Sequence, residues 1–129
     1  MERLSLRYKD ALRASTTLKQ VLREPFSVIV RDAAIQRFEY TFEALWKFLK
    51  EYLKDNEGII VNTPKAVFRE AFAAGIFGED ETIKFLEMTD SRNNTSHTYK
   101  EEIADAIYEK IRDYSLLIEK LLERVKVVE

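Results

Sequence analysis

Apolar side chains recur at intervals of three and four residues along most of this sequence, and this spacing restricts the chain to helices. A first stripe comprises Leu4, Tyr8, Ala11, Ser15, Leu18 and Leu22. A second stripe comprises Phe38, Phe42, Leu45, Leu49 and Leu53. Because side chains three and four positions apart share one face of an α-helix, the stripes predict amphipathic helices over residues 2–23 and 27–54.

The few glycines and prolines fall between the periodic stretches and separate the predicted helices. Pro25 lies between the first two helices, and Gly58 follows the second. Thr63 followed by Pro64 is typical of an N-cap with proline at the first helical position, so a short helix is predicted to begin there. Gly75 is expected to end this helix in a left-handed conformation.

Two further helices complete the predicted architecture. A helix over residues 80–94 has the apolar side chains Ile83, Phe85, Leu86 and Met88. The sequence Thr98-Tyr99-Lys100-Glu101 matches a capping box and predicts the start of the last helix. The core stripe of that helix is Ile103, Ile107, Ile111, Tyr114, Ile118, Leu121 and Val125. We therefore predict an all-α, up-and-down four-helix bundle with an additional short helix, forming one domain over residues 1–129.

Composition excludes several classes of protein. The chain has no cysteine and a single histidine, so a disulfide framework, a thiolate metal site and a multi-histidine metal centre within one chain are excluded. No apolar run approaches the roughly 20 residues that a membrane span needs, and no cationic-then-apolar leader opens the sequence. We expect a cytoplasmic protein with no metal, no cofactor and no membrane partner.

Charge is unevenly distributed although the net charge is only −2. Residues 1–40 carry eight Lys/Arg against five Asp/Glu, whereas residues 79–129 carry eight against thirteen. Solvated helix faces of different sign are one explanation. The alternative is that the basic N-terminal third meets RNA or an acidic partner.

The second helix carries more aromatic side chains than one core stripe requires. Tyr40, Trp46, Phe48 and Tyr52 lie outside its stripe. These rings either fill the bundle core or form a further buried surface, for which an oligomer interface is the natural candidate.

The segment from Arg92 to Tyr99 has the most concentrated polar chemistry of the chain, and it includes the only histidine, His97. On a continuous helix, Arg92 and His97 would be about 140° apart and would not converge. The intervening Asn-Asn-Thr-Ser run favours caps and turns, so the fourth helix is expected to end inside the segment. Both side chains could then point into one cavity.

Imidazole exchanges a proton near neutral pH, and a guanidinium can bind a phosphate through two parallel hydrogen bonds. These groups can cleave RNA without a metal, because the 2′-hydroxyl of RNA supplies the nucleophile. The reaction needs two proton transfers, and a symmetric homodimer would bring two copies of His97 and Arg92 together. The alternative is a structural role, in which a lone histidine and a buried arginine join helix ends.

The chain also resembles a known family, and the similarity extends over most of its length. The residues that carry it are Gln36 to Glu43 with Trp46-Lys47, Thr63 to Val67, Ala71, Gly75 to Phe77 and, above all, Arg92 to Tyr99. The last segment matches an R-x4-H-x-Y motif. With this set in this order, the chain resembles the HEPN superfamily and, within it, the HepT-like nucleotidyltransferase substrate-binding proteins.

This resemblance implies a homodimer and a partner chain, a minimal nucleotidyltransferase. In one version, the helical protein is a metal-independent ribonuclease toxin that the partner silences by adding AMP to the motif tyrosine. Arg92 and His97 would then be catalytic, Asn93 and Ser96 would bind substrate or phosphate, and Tyr99 would be modified. In the other version, the helical protein is the non-catalytic subunit that binds substrate or nucleotide. The chain has no Gly-Ser phosphate cradle and no Asp-x-Asp after a strand, so it is not itself the nucleotidyltransferase.

Overall fold

The computed structural model describes residues 2–127, and this part of the chain contains five α-helices and no strand. The helices are α1 (Glu2–Leu22), α2 (Val28–Glu57), α3 (Pro64–Ala73), α4 (Glu79–Asn94) and α5 (Glu101–Arg124). A short 3-10 turn, Thr95–His97, lies between α4 and α5. The predicted all-α helical bundle is confirmed, and each predicted helix has a counterpart.

Local sequence signals account for both ends of α2 and for the start of α3. The Ser27 hydroxyl caps α2 by accepting a hydrogen bond from the Val30 amide at 3.0 Å. Gly58 ends α2 in the left-handed conformation with φ of +67°. At α3, Thr63 accepts from the Ala66 amide at 3.3 Å, which confirms the predicted cap.

The bundle is built around α2, which packs against α1, α3, α4 and α5. The apolar stripes predicted for α1 and α2 are buried, and so is the predicted α5 stripe except for the partly exposed Ile103. Aromatic rings fill the space between α3 and α4, where Phe68 stacks on Phe85 at a centroid distance of 4.9 Å. A ring of α2, Phe38, stacks on Tyr114 of α5 at 5.6 Å. This packing fixes α4 and α5 in their positions around α2.

The apolar and aromatic side chains of α4 and α2 differ in how far they are buried. Ile83, one of the apolar residues of α4, is 56% exposed, because the buried side of that helix is formed by Thr82, Phe85, Met88 and Thr89. The additional aromatic rings of α2 differ in burial, and Trp46 and Tyr52 are partly buried against the bundle core. Phe48 is fully buried inside the bundle, whereas Tyr40 is 42% exposed.

Candidate functional site

The polar segment from Arg92 to Tyr99 forms the connection between α4 and α5. Helix α4 ends at Asn94, inside the segment, as predicted. The chain continues into the 3-10 turn Thr95–His97, and hydroxyls of the segment bond back to the carbonyls three residues earlier. Such back-bonding lets Ser and Thr compete with regular helix, so α4 gives way to a tighter turn at this point.

The predicted capping box is wrong. The Thr98 hydroxyl donates to the Thr95 carbonyl oxygen at 3.1 Å and does not cap α5. The Lys100 amide bonds to the His97 carbonyl at 3.1 Å, which extends the turn by one step, and Lys100 then occupies the N-cap position without a side-chain hydrogen bond. Helix α5 therefore begins at Glu101, and Tyr99 lies in the turn before it rather than in its first turn.

The Arg92 side chain extends from α4 towards α2, where it lies beside two glutamates that are one helical turn apart. Arg92 Nη1 lies 3.4 Å from Glu39 Oε2, and Arg92 Nε lies 3.5 Å from Glu43 Oε1. The arginine side chain is 28% exposed. One guanidinium beside two carboxylates carries a local net charge of −1, so in this arrangement the site does not attract a phosphate.

The Arg92 Nε atom is covered by protein and has no hydrogen-bond acceptor among residues 2–127, because its contact with Glu43 does not meet the geometry of a hydrogen bond. A buried donor left without a partner costs about 1–3 kcal/mol. Nε is therefore the position in the segment where an additional acceptor would be most favourable.

Thr95 connects the arginine to the turn. Its hydroxyl accepts from Arg92 Nη1 at 2.9 Å and lies 2.7 Å from the Arg92 carbonyl oxygen and 3.2 Å from Glu39 Oε2. A hydroxyl has one proton, which Thr95 shares between these two acceptors. Because Thr95 is buried, the position of Arg92 is coupled to the turn that carries His97.

His97 and Tyr99 lie on the outer side of the connection. The His97 side chain is exposed, and Tyr99 is 75% exposed. Their rings meet edge to face at a centroid distance of 6.1 Å. No hydrogen bond or ring contact joins His97 to Arg92 in the part of the chain that the structure describes. The two side chains thus come from adjacent turns, as expected, but they do not share an enclosed cavity.

Asn93 and Ser96 are also exposed. The Ser96 hydroxyl donates to the Asn93 carbonyl oxygen at 3.1 Å, so it satisfies one of the free carbonyls at the end of α4. The predicted substrate-binding pair is therefore accessible from solvent, and its single hydroxyl, that of Ser96, already holds the turn.

Arg31 of α2 holds the other side of the connection. Its side chain is 3% exposed and forms hydrogen bonds with Glu101 at 2.6 Å and with Asp105 at 3.0 Å. The hydrogen bond and charge of Arg31 hold the pKa of Glu101 below its ordinary value, and the same bond raises the pKa of Arg31. Arg31 comes from the basic N-terminal third of the chain, but its charge is used within the fold rather than for an external partner.

Tyr114 of α5 supports the end of α4 from the core. Its hydroxyl lies 2.8 Å from the Ser91 hydroxyl and 3.1 Å from Glu87 Oε1. Burial raises the pKa of Tyr114 to about 12. Ser91 immediately precedes Arg92, so this bond fixes the last turn of α4 where the arginine departs.

Sequence reasoning did not identify three side chains that shape the site: Glu39, Glu43 and Arg31. The first two belong to the segment that carries the family resemblance, and their spacing of four residues puts them on one helix face. That spacing was a usable signal, but only the packing of α4 on α2 shows that this face meets Arg92.

Two other kinds of site are absent from residues 2–127. No group of three or more His, Cys, Asp or Glu side chains there is placed to hold a metal ion. None of the helices described is long and apolar enough to cross a membrane.

Comparison with known proteins shows the family of this chain. Residues 6–127 match the family described as nucleotidyltransferase substrate binding protein like. A Haemophilus influenzae protein named "Probable ribonuclease HepT" is 36% identical over 111 residues, which cover 74% of this chain and 73% of that protein.

Solved structures share the fold. A crystal structure of a Thermus thermophilus protein has 45% identity and a TM-score of 0.86, and the match covers 91% of this chain and 99% of that one. A tri-AMPylated Shewanella oneidensis HEPN toxin, solved in complex with the MNT antitoxin, has 14% identity and a TM-score of 0.77, with 95% and 96% of the two chains covered. The chain belongs to the HepT-like family of nucleotidyltransferase substrate-binding proteins.

Proposed function

We propose that this protein is the ribonuclease toxin of a two-protein system, and that a minimal nucleotidyltransferase silences it by adding AMP to Tyr99. The observation that carries the proposal is the exposed turn that presents His97 and Tyr99 directly after the helix of Arg92. The names of relatives add support, since the Haemophilus influenzae protein is named a probable ribonuclease and the Shewanella oneidensis toxin is AMPylated and bound to an antitoxin.

The chemistry requires no metal. Imidazole of His97 removes the proton from the 2′-hydroxyl, and the resulting oxygen attacks the adjacent phosphorus. Arg92 stabilises the extra negative charge of the phosphorane, and the 5′-oxygen leaves with a proton to give a 2′,3′-cyclic phosphate. Because His97 is the only histidine, a second subunit supplies the second imidazole, and the protein acts as a homodimer with the turns near its two-fold axis.

RNA digestion in EDTA tests the catalytic role. The wild-type protein should produce fragments that end in cyclic phosphate, and His97→Ala should abolish them. Arg92→Ala should cost about 3 kcal/mol or more of transition-state stabilisation. A DNA oligonucleotide of the same sequence is the matched control and should stay intact, since it lacks the 2′-hydroxyl. Cleavage that persists in His97→Ala would reject this mechanism.

Light scattering tests the homodimer. At micromolar concentration, the mass should be twice the 15.2 kDa of the chain. A monomer at this concentration would remove the source of the second imidazole and with it the proposed proton transfers.

The intact mass of the protein tests the control by AMP. Incubation with ATP and the partner nucleotidyltransferase should add one or more AMP units to the wild type and none to Tyr99→Phe. Tyr40→Phe is the matched control, because Tyr40 is also exposed but lies on α2. An unchanged wild-type mass would contradict modification of Tyr99.

A second function has its own support. Two carboxylates neutralise Arg92, so the arrangement within one chain is that of an occupied ion pair rather than of a prepared phosphate site. The protein would then be the non-catalytic subunit that binds substrate or nucleotide for a nucleotidyltransferase, in keeping with the family description. A stable complex with the nucleotidyltransferase, without RNA cleavage and without a change in mass, would favour this function.

A further inference from the structure

The two glutamates beside Arg92 are held differently. Glu39 contacts both Arg92 and the buried Thr95, so it touches the arginine and the turn at the same time. Its side chain is about one-third exposed. Removing this side chain would free Arg92 Nη1 from its ion pair and remove an acceptor from the Thr95 hydroxyl.

Glu43 makes the weaker contact. Its Oε1 lies 3.5 Å from Arg92 Nε without forming a hydrogen bond, and Nε is the covered donor for which the described residues provide no acceptor. The other oxygen, Oε2, accepts a hydrogen bond from Trp46 Nε1 at 2.9 Å on the same helix. Glu43 can therefore turn away from Arg92 and still keep a hydrogen-bond donor.

We propose that Glu43 is a counter-ion that RNA phosphate displaces from Arg92, whereas Glu39 is a positioning residue that stays in place. The inference rests on the proposed function, in which Arg92 binds the phosphate of RNA. When RNA binds, a phosphate oxygen occupies the position next to Nε, and Glu43 stays bonded to Trp46. Glu39 and Thr95 keep Nη1 fixed, so the guanidinium presents its remaining edge to the phosphate in one orientation.

The two glutamates should consequently have effects of opposite sign. Loss of the Glu43 charge removes a competitor and a repulsive charge from the phosphate position, so Glu43→Gln should bind RNA about fivefold more tightly. The glutamine oxygen can still accept from Trp46. Glu39→Ala also removes a negative charge, yet it should bind RNA more weakly, because Arg92 loses its orientation.

Fluorescence anisotropy with a labelled single-stranded RNA, methylated at every 2′-oxygen to prevent cleavage, measures these affinities. Glu57→Gln is the matched control, since it removes the same charge from the same helix about 21 Å from Glu43 along the axis. It should leave the dissociation constant unchanged. Glu39→Gln keeps an acceptor for Thr95 and should restore part of the affinity that Glu39→Ala loses. The gain from Glu43→Gln should shrink as salt is raised.

The results separate this inference from the proposed function. If Arg92→Ala weakens binding and Glu43→Gln does not tighten it, the displacement of Glu43 is wrong while the role of Arg92 stands. If both glutamate variants tighten binding equally, the carboxylates act only through charge, and Glu39 is not a positioning residue. If the wild type does not bind RNA, or Arg92→Ala binds as tightly as the wild type, the proposed function and this inference fail together.

Discussion

Replacing Tyr114 with Phe should show how strongly the core supports the end of α4. The substitution keeps the ring that stacks on Phe38 and removes only the hydroxyl. The bond to Ser91 is buried, and losing it leaves the serine hydroxyl without this partner, whereas Glu87 is half-exposed and can bond to water. We expect a loss of about 1–2 kcal/mol in the free energy of unfolding, or about 3–8 °C in the melting temperature.

The pH dependence provides a second, independent measurement. The folded-state pKa of Tyr114, about 12, lies above its ordinary value of 10.0. A raised pKa means that the folded state holds this proton more tightly, so the stabilisation is complete below pH 10 and is lost as the pH rises towards 12. Tyr114→Phe has no such titration. The stability difference between the wild type and Tyr114→Phe should therefore narrow over this range.

Urea unfolding followed by circular dichroism at about pH 8 and about pH 11, on either side of the ordinary tyrosine pKa, measures both effects. Tyr40→Phe is the control, because its hydroxyl bonds to Thr17 at the surface and its loss should cost less than about 0.5 kcal/mol. A Tyr114→Phe protein as stable as the control at the lower pH would refute the account of the buried bond. If the stability difference between the wild type and Tyr114→Phe is the same at both pH values, the raised pKa of Tyr114 is refuted.

Two other substitutions test the ends of the helices that carry the site. Arg31→Met should lower the melting temperature at neutral pH, and the difference in melting temperature from the wild type should shrink at acid pH. Arg31 lowers the pKa of Glu101 in the folded state below its ordinary value of 4.5. The stabilisation from this ion pair is therefore complete above pH 4.5 and is lost as the pH falls through the folded-state pKa of Glu101. A difference that stays constant in thermal melts down to strongly acid pH would contradict this ion pair. Gly58→Ala should destabilise the protein by about 1 kcal/mol in urea unfolding, since φ is +67° at this position. Gly58→Asn should destabilise it less, because asparagine tolerates the left-handed conformation better than alanine. Equal losses for the two variants would show that the backbone conformation does not cause the destabilisation.

The helices were predictable because their signals are local. A stripe of apolar residues at helical spacing specifies both the helix and its buried face, so the stripe of α1 from Leu4 to Leu22 was identifiable without any knowledge of its neighbours. The cap at Thr63 and the left-handed Gly75 depend only on adjacent residues. The end of α4 inside the polar segment follows in the same way from its weak helix formers.

The capping box was wrong because its local signal allows two interpretations. Thr98 three residues before Glu101 has the spacing of a capping box, but its hydroxyl bonds backwards to Thr95. Both bonds are available to a threonine, and the choice depends on whether the chain is still turning when it reaches Thr98. The exposure of Ile83 was not predictable from the sequence, because the width of the buried face of α4 depends on how α3 and α5 pack against it.

The pairing of Arg92 with Glu39 and Glu43 was beyond sequence reasoning, because helix packing brings together side chains from α4 and α2, which are distant in the sequence. This ion pairing changes the chemistry that the motif can perform in a single chain. R-x4-H indicates a cation and a base that act on one phosphate, yet in a single chain the cation is already neutralised and the base faces outward. A phosphate that entered between them would have to compete with Glu43 and would meet only one imidazole. The proposed second subunit and the proposed displacement of Glu43 therefore meet separate requirements of RNA cleavage: the first would supply a proton carrier that the single chain lacks, and the second would release a positive charge that the fold otherwise keeps paired.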